Sequence, residues 1–190
     1  MKILIAVPTF ENIQPEVFKA IYELRPAGHE LSFDIMKGYD CAVARNEIGR
    51  MAQEKGVDYV LMVDSDTIIP PDTLELMLDT DVDICLGVCP RKNTKDGKTA
   101  MVSIDGKDIF YDDLPDKKTV VMRGGFACAL VRAYVFTRLD YPYFQFTIGA
   151  DGAMMGEDYY FCQNATLMGY EVIMDPRVKC GHLARYYQYR

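Results

Sequence analysis

The sequence predicts an α/β fold built on an open sheet, and three observations carry that prediction. Tyr59-Val60-Leu61-Met62-Val63 is an unbroken apolar run that stops at two carboxylates one residue apart, Asp64 and Asp66. Ile3-Leu4-Ile5-Ala6-Val7 and the stretch 83–88 are runs of the same kind. Between the first two runs lie segments with apolar residues at helical spacing. Strands with no polar alternation are buried on both faces, as when helices cover both sides of a sheet. Ligands of such sheets gather beyond the carboxyl ends of the strands, which is where Asp64 and Asp66 fall. Two carboxylates there can hold a divalent cation, because hard cations favour oxygen ligands. The plainer reading is a polar loop that caps the next helix.

In chain order, the run 3–7 is a first parallel strand closed by Pro8-Thr9. A helix over 15–24 follows, with Val17, Ala20, Ile21 and Leu24 as its packing face. No G-x-G-x-x-G accompanies this first turn, which disfavours a dinucleotide fold. Pro26-Ala27-Gly28 breaks the helix, and 31–36 alternates as a second strand. The spacing of Ala44, Ile48, Met51 and Ala52 predicts a helix over 41–55, with Asp40 as its cap and Gly56 as its stop. Arg45 lies in the first turn of that helix. On its own it reads as an exposed helix arginine paired with Glu47.

After Asp66, Pro70-Pro71 opens a short helix and 83–88 is a further strand ending at Cys89-Pro90-Arg91. The texture then changes, and 92–118 reads as a hairpin-rich insertion forming one wall of a cleft. Val120-Val121-Met122 leads into Arg123-Gly124-Gly125, where paired glycines predict close backbone approach or an unusual turn. That run continues through Phe126 to Val131, and a short helix over 132–138 comes next. The aromatic stretch 141–146 is either a platform for a sugar ring or core. A helix over 156–168 carries Glu157 and Asp158 in its first turn, where the helix dipole favours anions. The stretch 171–174 is the last predicted strand, and His182 stands near the end of the ordered part, with the tail 186–190 folding over the site or fraying.

With 190 residues and 49% apolar content, the chain is long enough for one domain with a real core. A net charge of -7 excludes a protein that coats nucleic acid through a basic surface, although a local basic cleft around Arg91, Lys92, Lys95 and Lys98 is compatible with it. The six cysteines show no C-x-x-C pair, so free thiols in a reducing compartment are expected, and zinc is not. The N-terminal apolar run is too short for a secretion signal and no segment reaches membrane-spanning length, so a cytoplasmic protein with no stable membrane insertion is expected.

The order of these motifs resembles the GT-A glycosyltransferases, and family 2 in particular. The features are a strand ending in Pro-Thr, an Arg-Asn helix, a strand closed by Asp64-Ser65-Asp66, a Gly-Gly strand, a Gly-Glu-Asp helix and a late Gly-His. The resemblance implies a central mixed, mainly parallel sheet flanked by helices in one domain over 1–190. Residues 1–90 would bind a nucleotide sugar, most readily a UDP-sugar, and 91–190 would bind the acceptor and carry catalysis. It implies that Asp64 and Asp66 orient the ribose and coordinate Mn2+ or Mg2+, with His182 completing the metal's ligands. Pro8, Thr9 and Ser65 would lie against the nucleotide, Asp40 stands nearest to the acid that reads the base, and Arg45 approaches the phosphate or sugar. Asp158 matches the general base of inverting members, with Glu157 as its substitute. The acceptor stays open: a saccharide, a lipid-linked glycan, a protein or a modified nucleobase. Two other functions fit the same residues less well. One is a non-catalytic nucleotide-sugar binding module, and the other is a sugar nucleotidyltransferase, which would ordinarily show a Gly-rich phosphate loop that Val7-Pro8-Thr9-Phe10-Glu11 lacks.

Overall fold

The N-terminal apolar run forms β1 (Lys2–Thr9), buried at every position after Lys2. The strand takes in Pro8 and Thr9, which the sequence reading places just beyond it. The computed structural model describes residues 1–38, 40–92, 96–149 and 152–183. Helix α1 (Pro15–Tyr22) opens on a proline and buries Val17, Ala20 and Ile21. The half-exposed β2 (Glu30–Lys37) pairs in parallel with β1 along its whole length. Helix α2 (Cys41–Lys55) covers its predicted span. Asp40 Oδ1 accepts the Val43 N–H at 2.8 Å at one end, and Gly56, in the left-handed region at φ 58, ends the helix at the other.

The central run is β3 (Tyr59–Val63), buried throughout. Its ladder with β1 ends at Ala6, so Pro8 lies where β1 has a partner on one side only, and its missing N–H breaks no bond to β3. There follow β4 (Thr67–Ile68), α3 (Thr73–Leu78) and the buried β5 (Ile84–Val88). Residues 92–118 do form a hairpin, β6 (Lys98–Ser103) and β7 (Asp108–Phe110). It does not stand apart from the sheet, because β8 (Thr119–Arg123) joins it to the main body. The chain closes with β9 (Cys128–Arg132), α4 (Val135–Arg138), β10 (Thr147–Ile148), β11 (Met154–Met155), α5 (Glu157–Leu167), β12 (Val172–Lys179) and β13 (Gly181–His182). Strand β12 outruns its predicted end and passes through Pro176, where its register with β5 shifts.

Among the described residues, nine strands form one sheet in the order β2-β1-β3-β9-β5-β12-β8-β6-β7. Parallel pairing is confined to two blocks, β2-β1-β3 and β5-β12. Strand β9 runs antiparallel between them, and the far side of the sheet is antiparallel too. The sheet is therefore mixed, and less parallel than the resemblance implies, because β9 inserts between β3 and β5.

Successive strand residues point to opposite faces, and the core divides accordingly. Leu4, Ala6, Val60, Met62 and Leu86 pack with Ile48 and Ala52 of α2 and Phe161 of α5. Ile3, Ile5, Val7, Leu61 and Val63 pack with Val17 and Ile21 of α1 and Leu74 and Met77 of α3. The aromatic stretch serves as core in half of its rings. Tyr143 and Phe144 are buried and Phe144 stacks on Phe161 at 4.7 Å, while Tyr141 and Phe146 are exposed. Asn46 explains part of this: its side chain donates to the Phe144 carbonyl (2.8 Å) and accepts the Phe144 N–H (3.0 Å). All six cysteines are free, five of them buried. No helix among the described residues is long and apolar enough to cross a membrane.

Candidate functional site

Strands β1, β3 and β5 lead into a pocket of about 420 Å³. Every residue nominated from the sequence lines it: Pro8 and Thr9 from β1, Asp40 and Arg45 from the start of α2, Asp64, Ser65 and Asp66 after β3, Glu157 and Asp158 from α5, and His182. The tail 186–190 lies outside the described residues, as does Lys95 of the basic cleft. Of the other cleft residues, Arg91 and Lys92 line the pocket, whereas Lys98 pairs with Asp108 at 2.8 Å away from it.

The inner wall is an ion triad. Arg45 is buried, with one guanidinium nitrogen 2.7 Å from Asp64 Oδ1 and another on Glu157 Oε1. This corrects the reading of Arg45 as an exposed helix arginine; it is Arg50 that pairs with Glu47, at 2.9 Å, and with Glu54. Burial would lower the arginine's pKa, but Asp64 and Glu157 outweigh it and hold the cation well above its ordinary value. Burial pushes the Asp64 carboxyl up despite Arg45, and the neighbouring Asp66 adds to that. Glu157 thus has its carboxylate turned to Arg45, and among the described residues Asp158 is the first-turn acid with no ion pair. Cys41, one turn before Arg45, is exposed and lines the pocket.

The outer wall is a second cluster. The ladder between β4 and β13 pairs His182 with Thr67, and the Leu183 N–H reaches the Asp66 carbonyl at 2.9 Å. This zipper brings residues distant in sequence side by side, with His182 Nε2 3.4 Å from Asp66 Oδ1. His182 Nδ1 lies 2.7 Å from the Pro90 carbonyl, and a carbonyl only accepts, so Nδ1 carries a proton and Nε2 is the nitrogen facing Asp66. Lys92 sits on the other oxygen, Asp66 Oδ2. Burial would raise Asp66, but the bonds from His182 and Lys92 prevail and hold it below the usual carboxylate range. For His182, burial lowers the pKa, and the contacts to Asp66 and the Pro90 carbonyl raise it overall.

Between the two walls stands Asp158. Burial raises its pKa to about 6, helped by Glu157 and opposed by Arg45. Gly125 lies beside it, and the close approach the glycine permits is to Ala100. A Cβ on Gly125 would lie 2.8 Å from Ala100 Cβ and 3.5 Å from Asp158 Oδ2, so the glycine permits close backbone approach rather than a positive φ.

The donors suit a divalent cation in kind and fall short in number. Carboxylate oxygen and a neutral imidazole Nε2 are ligands that Mn2+ and Mg2+ chemistry uses, and the Pro90 carbonyl fixes the imidazole as second partners of metal-bound histidines do. Yet no three such side chains among the described residues converge on one point. The expected trio is therefore a touching pair, Asp66 and His182, with Asp64 turned towards Arg45. Sequence reasoning missed Pro90, whose carbonyl sets the His182 tautomer, and Phe126, whose ring lies 5.9 Å beneath Arg45. Neither carries a sequence signal, since one acts through its backbone and the other is an ordinary core phenylalanine.

Compared by sequence, the chain matches no protein-family model and no curated protein. Solved structures do match it in fold. A197 from STIV superposes with a TM-score of 0.64 at 15% identity, covering 100% of this chain and 97% of that one. GalNAc-T7, solved with UDP, GalNAc and Mn2+, superposes with a TM-score of 0.66 at 8% identity over 98% of this chain. The chain spans 44% of that longer protein. At such identities the likeness is one of fold.

Proposed function

We propose that this chain is a metal-dependent glycosyltransferase of the GT-A fold, moving a sugar from a nucleotide-diphosphate sugar, UDP-sugars first among them, to a hydroxyl acceptor with inversion. The observation that carries the reading is the contact of Asp66 with His182 in the same pocket as Asp158. The likeness in fold to GalNAc-T7 supports the choice of fold, and these residues supply the chemistry.

In this reading Asp66 and His182 Nε2 would hold Mn2+ or Mg2+, with Asp64 as the further acid beside them. A cation there offsets the negative charge that develops on the departing diphosphate. Arg45 keeps Asp64 in place from behind. The acceptor oxygen attacks the anomeric carbon, the bond from that carbon to the diphosphate oxygen breaks, and the acceptor's proton passes to Asp158. With a pKa of about 6, Asp158 is ionised at neutral pH and basic enough to take that proton. Pro8, Thr9, Asp40 and Ser65 form the side of the pocket assigned to the nucleoside.

The test is a screen of nucleotide sugars with Mn2+, reading nucleoside diphosphate released by transfer or slow hydrolysis. Release should require the cation and vanish in Asp66→Ala. Activity that survives both EDTA and that substitution overturns the proposal. Calorimetric donor binding with no turnover across many acceptors would instead make the chain a binding module.

A further inference from the structure

A second cavity, of about 490 Å³, lies outside the candidate site. Its walls are mostly hydrocarbon. Val121 and Val172 are buried in its lining, and Met122 (43% exposed), Leu167 (78%) and Ile104 (68%) open towards solvent. Its size and apolar character are those of a small-molecule pocket. One polar feature within it lacks an internal explanation. Arg123 contributes the only basic group to the lining, and among the described residues it has no carboxylate partner and no hydrogen bond. Its Nε is buried without an acceptor, and the guanidinium lies 4.9 Å over the Tyr159 ring. Buried donors of this kind normally have partners, and a chain of net charge -7 does not lack carboxylates to supply one. Glu171, exposed, is the one acid in the lining, and it makes no ion pair with Arg123.

We propose that this groove binds an anionic amphiphile, a single aliphatic chain lying along Val121, Met122 and Leu167 with a phosphate or carboxylate head on Arg123. The ring of Tyr159 holds the guanidinium flat, so that its free edge faces the incoming head. Tyr159 follows Asp158 directly on α5, so the groove adjoins the candidate site. The proposal nevertheless rests on the groove alone, not on the transferase reading.

The test is calorimetry on the full chain with octyl phosphate below its micellar concentration, beside inorganic phosphate and octanol. Octyl phosphate should bind at least about tenfold more tightly than either fragment, and Arg123→Gln should weaken it about tenfold or more, as loss of a charge-assisted bond does. Leu167→Asp, at an exposed position, should weaken it as well without lowering the melting temperature. Excess UDP and Asp66→Ala should leave the affinity unchanged, so failure of the transferase reading does not touch this result. Inorganic phosphate binding as tightly as octyl phosphate would overturn the proposal, as would displacement by UDP. Two further outcomes would also overturn it: equal pelting of wild type and Arg123→Gln with anionic vesicles, which makes the patch a membrane face, or dimerisation in sedimentation that Leu167→Asp abolishes, which makes it a contact between copies.

Discussion

Asp64 and Asp66 are separated by one residue, yet they belong to regions built on opposite principles. Asp64 ends on a buried guanidinium that a buried acid, Glu157, holds from the other side. Asp66 faces the pocket with an imidazole and a half-exposed lysine as partners. Their acidities diverge accordingly, Asp64 raised by burial and Asp66 lowered by its partners. The contrast teaches a division of labour. The buried Arg45–Glu157 pair cannot lose a partner without leaving a bare charge in the interior, so it acts as scaffold, although Asp64, with its side chain 30% exposed, opens to the pocket at least as much as Asp66 at 19%. A cluster at the rim can trade a lysine for a ligand or a cation at small cost.

Linkage makes the two walls respond to pH in opposite senses. Asp64, raised, favours the folded state most below the ordinary carboxylate range, and that contribution is lost as pH rises through its folded value. Asp66, lowered, contributes above the ordinary range and loses the contribution as pH falls through its folded value.

Substitutions can sharpen or break this contrast. The largest effect is expected from Arg45→Ala, which strands the buried carboxylate of Glu157 and removes the cation from part-exposed Asp64. A loss of about 3–5 kcal/mol is expected, seen as a melting temperature lower by roughly 10 °C for a chain of this size; a shift under about 2 °C would show the triad to be dispensable. Next is Asp158→Asn, which should cost about 10²–10⁴ in kcat while leaving the donor's dissociation constant nearly unchanged. Equal loss of binding would make Asp158 structural. In the unsubstituted enzyme, the base form of Asp158 forms as pH rises, so kcat/KM should climb with pH up to about 6 and then level. That limb should disappear in Asp158→Asn.

Asp66→Ala comes third. It should lower cation-dependent diphosphate release about a hundredfold or more and leave the melting temperature within about 2 °C, the reverse of the Arg45 pattern. Should it unfold the chain instead, the division into scaffold and exchangeable rim fails. The smallest effect is expected from Lys92→Ala. Lys92 occupies Asp66 Oδ2, so its removal should tighten Mn2+ binding about two- to fivefold, measured by the paramagnetic resonance of free Mn2+. Weaker binding would mean that Lys92 helps to hold the ligand and does not compete for Asp66.

Much of this was legible in the residues. The runs 3–7, 59–63 and 83–88 became buried strands because uninterrupted apolar sequence has no stable place but a covered sheet, and Asp40 and Gly56 bounded α2 because capping is a local matter of one side chain or one φ. Arg45 shows where local reading fails. Nearness in sequence offered it Glu47, and only the approach of α5 to α2 supplied Glu157 and the burial that changes its meaning. The long reach of β12 was equally hidden, since Pro176 reads as a stop until a neighbouring strand tolerates the break in register.

By itself, the sequence determined which chemistry was on hand: carboxylates closing a buried strand, a lone late histidine, two acids opening a helix and a glycine pair. Tertiary structure alone decided how those groups were shared out. It assigned Glu157 to Arg45, left Asp158 with no ion pair among the described residues and set His182 against Asp66 through the β4–β13 ladder. The reason is that pairing and burial depend on three-dimensional proximity, which hydrophobic periodicity specifies only for the element that carries it.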